Sequence, residues 1–142
     1  IYDMCKSADK NIILSDINTT DKAQELVRIS VQRGRFLQLM AARLATPFDQ
    51  DGMFLLGLFS LLDAILDQPM ETVLAEIPLD PGIKKALIDP ASPDAAWIEL
   101  LDEIDRCNWG RLTKKVAQMG LSMNTVSRLS ADASAWTAQV MA

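Results

Sequence analysis

The sequence predicts an all-α protein, an irregular multi-helix globular bundle, and three observations carry that expectation. Hydrophobic residues make up 49% of the 142 positions, enough for a real core in one compact domain. Between the prolines and glycines the apolar residues recur at helical spacing. No window alternates apolar and polar residues between hairpin turns, as a half-buried strand would. A single domain is therefore expected over residues 1–142.

Taken in order, residues 8–17 can form the tail of a helix through Ile12, Ile13 and Ile17. The loop Asn18-Thr19-Thr20 follows, and residues 1–18 read as the remnant of an earlier helix and linker. Asp21 with Gln24 three residues on has the form of a capping box. The positions Ala23, Leu26, Val27, Ser30, Val31, Gly34, Leu37, Met40, Ala41 and Leu44 then mark one face of a long helix. Thr46-Pro47 ends it, because proline disfavours a helical residue before it. Asp49 or Asp51 starts the most apolar stretch, residues 53–66, MFLLGLFSLLDAIL. A membrane span needs roughly 20 apolar residues. This run is shorter and contains Asp63, so the expectation is one helix buried on most sides.

Pro69, Asp80-Pro81 and Ser92-Pro93-Asp94 each open a further helix, since proline is tolerated in a first turn. The last of these carries Trp97, Leu100, Leu101 and Ile104 on one face. Asn108 caps a helix with Leu112, Val116 and Met119, which Gly120 ends. Ser122 starts the final helix, with Val126, Leu129, Ala133, Trp136 and Val140 in phase. Trp97, Trp109 and Trp136 lie on apolar faces and read as core or edge-of-core residues.

Histidine is absent. That removes the commonest general base and transition-metal ligand, and with them Ser-His-Asp and Cys-His catalysis. No phosphate-binding glycine loop is present. The acids sit at helix starts, as at Asp21, Asp51, Asp80 and Asp94, or alternate with basic groups, and capping and solvation explain them. A net charge of −5 argues against nucleic acid, and Lys84-Lys85 and Lys114-Lys115 read as solvated helix faces. Cys5 and Cys107 match neither a zinc knuckle nor a redox pair. Their count permits one disulfide, but a reduced pair in the cytoplasm is expected. The chain starts at Ile1 rather than Met and is expected to be cut from something longer.

The runs RGRFLQLMAARLA, DGMFLLGLFSLLDAILDQPMETVLAEIPL and GIKKAL, with CNWGRLTKKVAQMGLS downstream, resemble the C-terminal HDOD domain of bacterial EAL–HDOD signalling proteins. The resemblance covers roughly residue 10 to the C-terminus. It implies a fold similar to HD-type metal phosphohydrolases, with the first helices lacking here. In those enzymes the corresponding helix reads Gly-Leu-hydrophobic-His-Asp. Gly57, Leu58 and Phe59 match, but Ser60 and Leu61 occupy the His and Asp slots. The resemblance thus implies no metal site and no catalytic residue. Its implied role is a non-enzymatic signal-transduction and protein-interaction module in cyclic di-GMP signalling. The partner would be a protein or an upstream EAL-like domain, with a homodimer also open. Neither the Glu-Ala-Leu motif nor βα alternation occurs in the chain.

The expectations for the chain are therefore no cofactor, no nucleic acid and no membrane insertion. The alternative function is a degenerate HD-type fold that still binds a nucleotide or other small ligand near Ser60 and Asp63. The candidate polar or structural site comprises Asp63, Ser60, Arg33 and Arg35. Asp63 lies mid-helix, and a buried unpaired carboxylate costs several kcal/mol. Its i−4 and i+4 neighbours, Phe59 and Asp67, offer no cation. An ion pair to Arg33 or Arg35 on the preceding antiparallel helix is therefore expected. A polar pocket beside Ser60 and Asp63 would instead favour the ligand-binding alternative.

Overall fold

The computed structural model describes residues 19–141. The expected helix tail at Ile12, Ile13 and Ile17, and Cys5, lie outside the described residues. Within them every regular element is helical, as the apolar spacing predicts. Helix α1 spans Thr19–Arg43, α2 Gln50–Phe59, α3 Leu62–Leu66, α4 Met70–Leu74 and α5 Pro81–Ile88. A 3₁₀ turn at Pro93–Ala95 leads into α6 (Ala96–Arg106), followed by α7 (Trp109–Gln118) and α8 (Met123–Val140).

Helix α1 is the central element, packing most extensively against α2 and α8. Its Leu37 and Met40 are buried with Met53 and Leu56 of α2 and Leu100 of α6. Leu112 of α7 and Val126 and Leu129 of α8 complete the same core. Trp97 is buried, while Trp109 is half-buried and packs against that core. Close approach of α1 to α2 depends on two glycines. A Cβ on Gly57 would lie 2.6 Å from the Arg33 carbonyl oxygen, and one on Gly34 2.8 Å from that of Phe54. Backbone therefore meets backbone at this crossing, and no side chain larger than hydrogen fits.

The termini follow the polar residues that punctuate the sequence. Asp49 accepts from the Gly52 N–H at 2.7 Å, Asp80 from Gly82 at 2.7 Å and Asn108 from Arg111 at 3.2 Å. Each satisfies a donor that the first helical turn leaves open. Helix α7 closes on Gly120, at φ 71°. The Leu121 N–H there donates to Val116 and the Gly120 N–H to Ala117, the Schellman pattern that a left-handed glycine permits.

Two expectations are corrected. Helix α1 begins at Thr19, so Asp21 lies inside its first turn rather than at its cap. A carboxylate there still complements the helix dipole. The stretch 53–66 is not one buried helix but α2 and α3, separated at Ser60 and Leu61. The Ser60 hydroxyl donates to the Gly57 carbonyl at 2.7 Å, and the Ser60 N–H reaches the same oxygen at 3.3 Å. This bonding competes with the i→i−4 ladder, and Leu61 turns to φ −114°, ψ 9°. Burial follows the break: α2 buries Gly52, Met53, Leu56 and Gly57, whereas α3 has no fully buried residue. No helix among the described residues is long and apolar enough to cross a membrane.

Candidate functional site

The most concentrated polar arrangement in the described interior is built on Arg33. Its position on α1 follows from the crossing just described: Gly34 and Gly57 bring this turn of α1 against the end of α2. The side chain is only 6% exposed. Its Nη1 donates to the Ser60 hydroxyl at 3.1 Å, and its Nη2 to Asp102 Oδ1 at 3.0 Å. Nε and Nη2 both donate to Asp105 Oδ2, Nε at 2.9 Å. One guanidinium thus ties α1 to the end of α2 and to α6.

The carboxylates reach it because Asp102 and Asp105 are three residues apart on α6 and so share a face. They flank the apolar stripe of Leu101 and Ile104, both buried. Asp105 is the deeper of the two, with 16% of its side chain exposed against 39% for Asp102. Burial alone disfavours the charge on Arg33, but Asp105 and Asp102 outweigh it and raise its pKa. Burial pushes the Asp105 carboxyl up from the ordinary carboxylate value; Arg33 opposes that shift and the charge on Asp102 adds to it. The main cause is burial itself, which disfavours the charged carboxylate; Asp102 is a smaller contribution, and Arg106 opposes the shift as Arg33 does.

Beside this cluster lies a cavity of about 20 Å³ lined by Ile29, Phe36, Leu101 and Ala133 along with Arg33 and Asp105. A water needs on the order of 10–15 Å³ of such volume, so there is room for about one. Among the described residues no group of three or more acids and cysteines is placed to hold a metal ion. The cation between Asp102 and Asp105 is the protein's own.

Of the candidate residues, Ser60 and Arg33 are brought together, and Asp63 and Arg35 are not part of their network. The expected ion pair of Asp63 with Arg33 or Arg35 is absent. Asp63 is half-buried on α3, and its Oδ1 accepts from the adjacent Ala64 N–H at 2.9 Å. The break at Ser60 and Leu61 is the cause, because it removes Asp63 from the buried helix on which the expectation depended. Arg35 instead stacks over the Trp136 ring, 4.9 Å from its centroid, and donates to Gln38 at 2.7 Å. The residues that sequence reasoning misses are Asp102 and Asp105. Their signal is faint: an i, i+3 acid pair flanking the apolar stripe of α6, with nothing local to name a partner 69 and 72 residues away.

Two curated relatives match the chain. A cyclic di-GMP phosphodiesterase of Vibrio cholerae, CdgJ, is 28% identical over 122 residues, which cover 86% of this chain and 28% of that protein. The uncharacterized protein YuxH of Bacillus subtilis is 31% identical over 85 residues, 60% of this chain and 20% of that protein. The chain thus spans between a fifth and about a quarter of the length of these relatives. No family model matches it, and no solved structure does.

Proposed function

We propose that this chain is a non-catalytic signal-transduction module of HDOD type, working in cyclic di-GMP signalling by packing against a protein partner or an EAL-like domain. Similarity to CdgJ over 86% of the chain supports the signalling setting. One observation carries the non-catalytic part. The polar groups at the centre are engaged with one another: Arg33 with Ser60, Asp102 and Asp105, and Ser60 also with the Gly57 carbonyl. A catalytic centre needs groups aimed at a space where substrate can sit. The space here holds about one water. The missing His and Asp at Ser60 and Leu61 point the same way.

The test is incubation of the chain with cyclic di-GMP and magnesium or manganese, with product separation. No linear dinucleotide or mononucleotide is expected above the protein-free control. Turnover that scales with protein and disappears in Arg33→Met would overturn the reading.

A further inference from the structure

Charge is distributed very unevenly along this chain. Residues 49–80 hold seven acids and no Lys or Arg, whereas residues 106–131 hold five Lys or Arg and no acid. The helices at the middle of the two segments pack against different elements. Helix α7, at the centre of the cationic segment, packs against α6 and α8. Helices α3 and α4, in the acidic segment, pack against α1, α2, α5 and each other.

The cationic face is free to act. Leu112 and Val116 turn the apolar side of α7 into the core. Arg111 and Lys114 are exposed and make no ion pair among the described residues; Lys115 alone on this helix is paired, with Glu99. Arg106 and Arg128 on the flanking helices are also exposed. On the other segment Asp49, Asp51, Asp67, Glu71, Glu76 and Asp80 are all exposed. A molecule with unlike fields on separate faces attracts its own kind in one relative orientation.

We propose that the occupant of the α7 face is a second copy of this chain, seated head to tail through its acidic segment 49–80. The contact is heterologous, because the two patches differ, so each copy keeps one patch open for the next. It does not depend on the signalling reading, and its failure leaves that reading standing.

Sedimentation velocity on the full chain tests it. At about 50 mM salt, association should rise with protein concentration. At about 500 mM the Debye length falls to about 4 Å, and the Kd should weaken at least ~10-fold. Two charge-reversed variants separate this contact from other self-association: Arg111→Glu with Lys114→Glu, and Glu71→Lys with Glu76→Lys. All four sites are exposed, and circular dichroism checks that both variants keep the parent fold. Each variant alone should be monomeric. Mixed, they should associate again, through the intact face of each and through the two reversed faces, which are complementary to one another. A monomeric parent at low salt would overturn the proposal. So would association insensitive to salt and reversal, or a mixture that stays monomeric, which leaves the α7 face to an acidic surface of another protein.

Discussion

From α1, Arg33 shares its guanidinium between Ser60 at the end of α2 and Asp102 and Asp105 of α6, and that division sets what each acidic neighbour contributes. Burial disfavours the charged Asp105 carboxylate more than Arg33 favours it, so the native state binds a proton there more tightly than the unfolded chain does. Its contribution to stability is fully present below the unfolded carboxylate pKa of about 3.9 and is lost as pH rises through the higher native value. Urea melts of the parent and Asp105→Asn from about pH 3 to about pH 6 should show the parent's relative stability falling as pH rises. A relative stability that grows over that range would mean Arg33 dominates the carboxyl. Asp63 belongs to a different class. It is half-buried and bonded only to the adjacent backbone, so Asp63→Asn should melt within about 0.5 kcal/mol of the parent. A larger loss would restore the anchor role that the sequence alone suggests.

At the scale of elements, the α1–α2 crossing depends on two glycines whose neighbours leave them no room to grow. Alanine is the better helix former by about 1 kcal/mol, yet at Gly57 its Cβ would meet the Arg33 backbone at 2.6 Å. Overpacking against backbone wins, and Gly57→Ala should destabilise by about 1–3 kcal/mol net. Gly110 is the control. A Cβ there would find its nearest neighbour, Asn108 Oδ1, at 3.8 Å, so Gly110→Ala should stabilise by roughly 0.5–1 kcal/mol. Thermal melts that ranked the two alike would contradict the crossing. Element ends are largely legible in sequence because their causes are local: Asp49, Asp80, Asn108 and Gly120 each act within a few residues. The break at Ser60 and Leu61 is not legible that way. Ser60 bonds within its own turn, but its hydroxyl is also held by Arg33 from another helix, and the surrounding residues favour an unbroken helix.

For the whole molecule, the same distinction between local and distant causes explains what sequence reading reaches. Apolar periodicity gives the helices and most of the core, including Leu37, Met40, Leu100, Leu112 and Leu129. The centre of the polar network is a pairing across 69 and 72 residues, which no periodicity encodes. On the reading proposed above, this network is a structural anchor rather than a site for chemistry. An anchor has a definite energetic signature: removing one member strands its partners, whereas replacing both with apolar groups relieves both charges. A double-mutant cycle of Arg33→Met and Asp105→Leu, read by urea unfolding, measures that signature. Arg33→Met alone should cost about 3–5 kcal/mol, and the double variant should be less destabilised than the two single losses combined, with a coupling of about 2 kcal/mol or more. Additive losses, with a coupling below about 0.5 kcal/mol, would contradict the anchor.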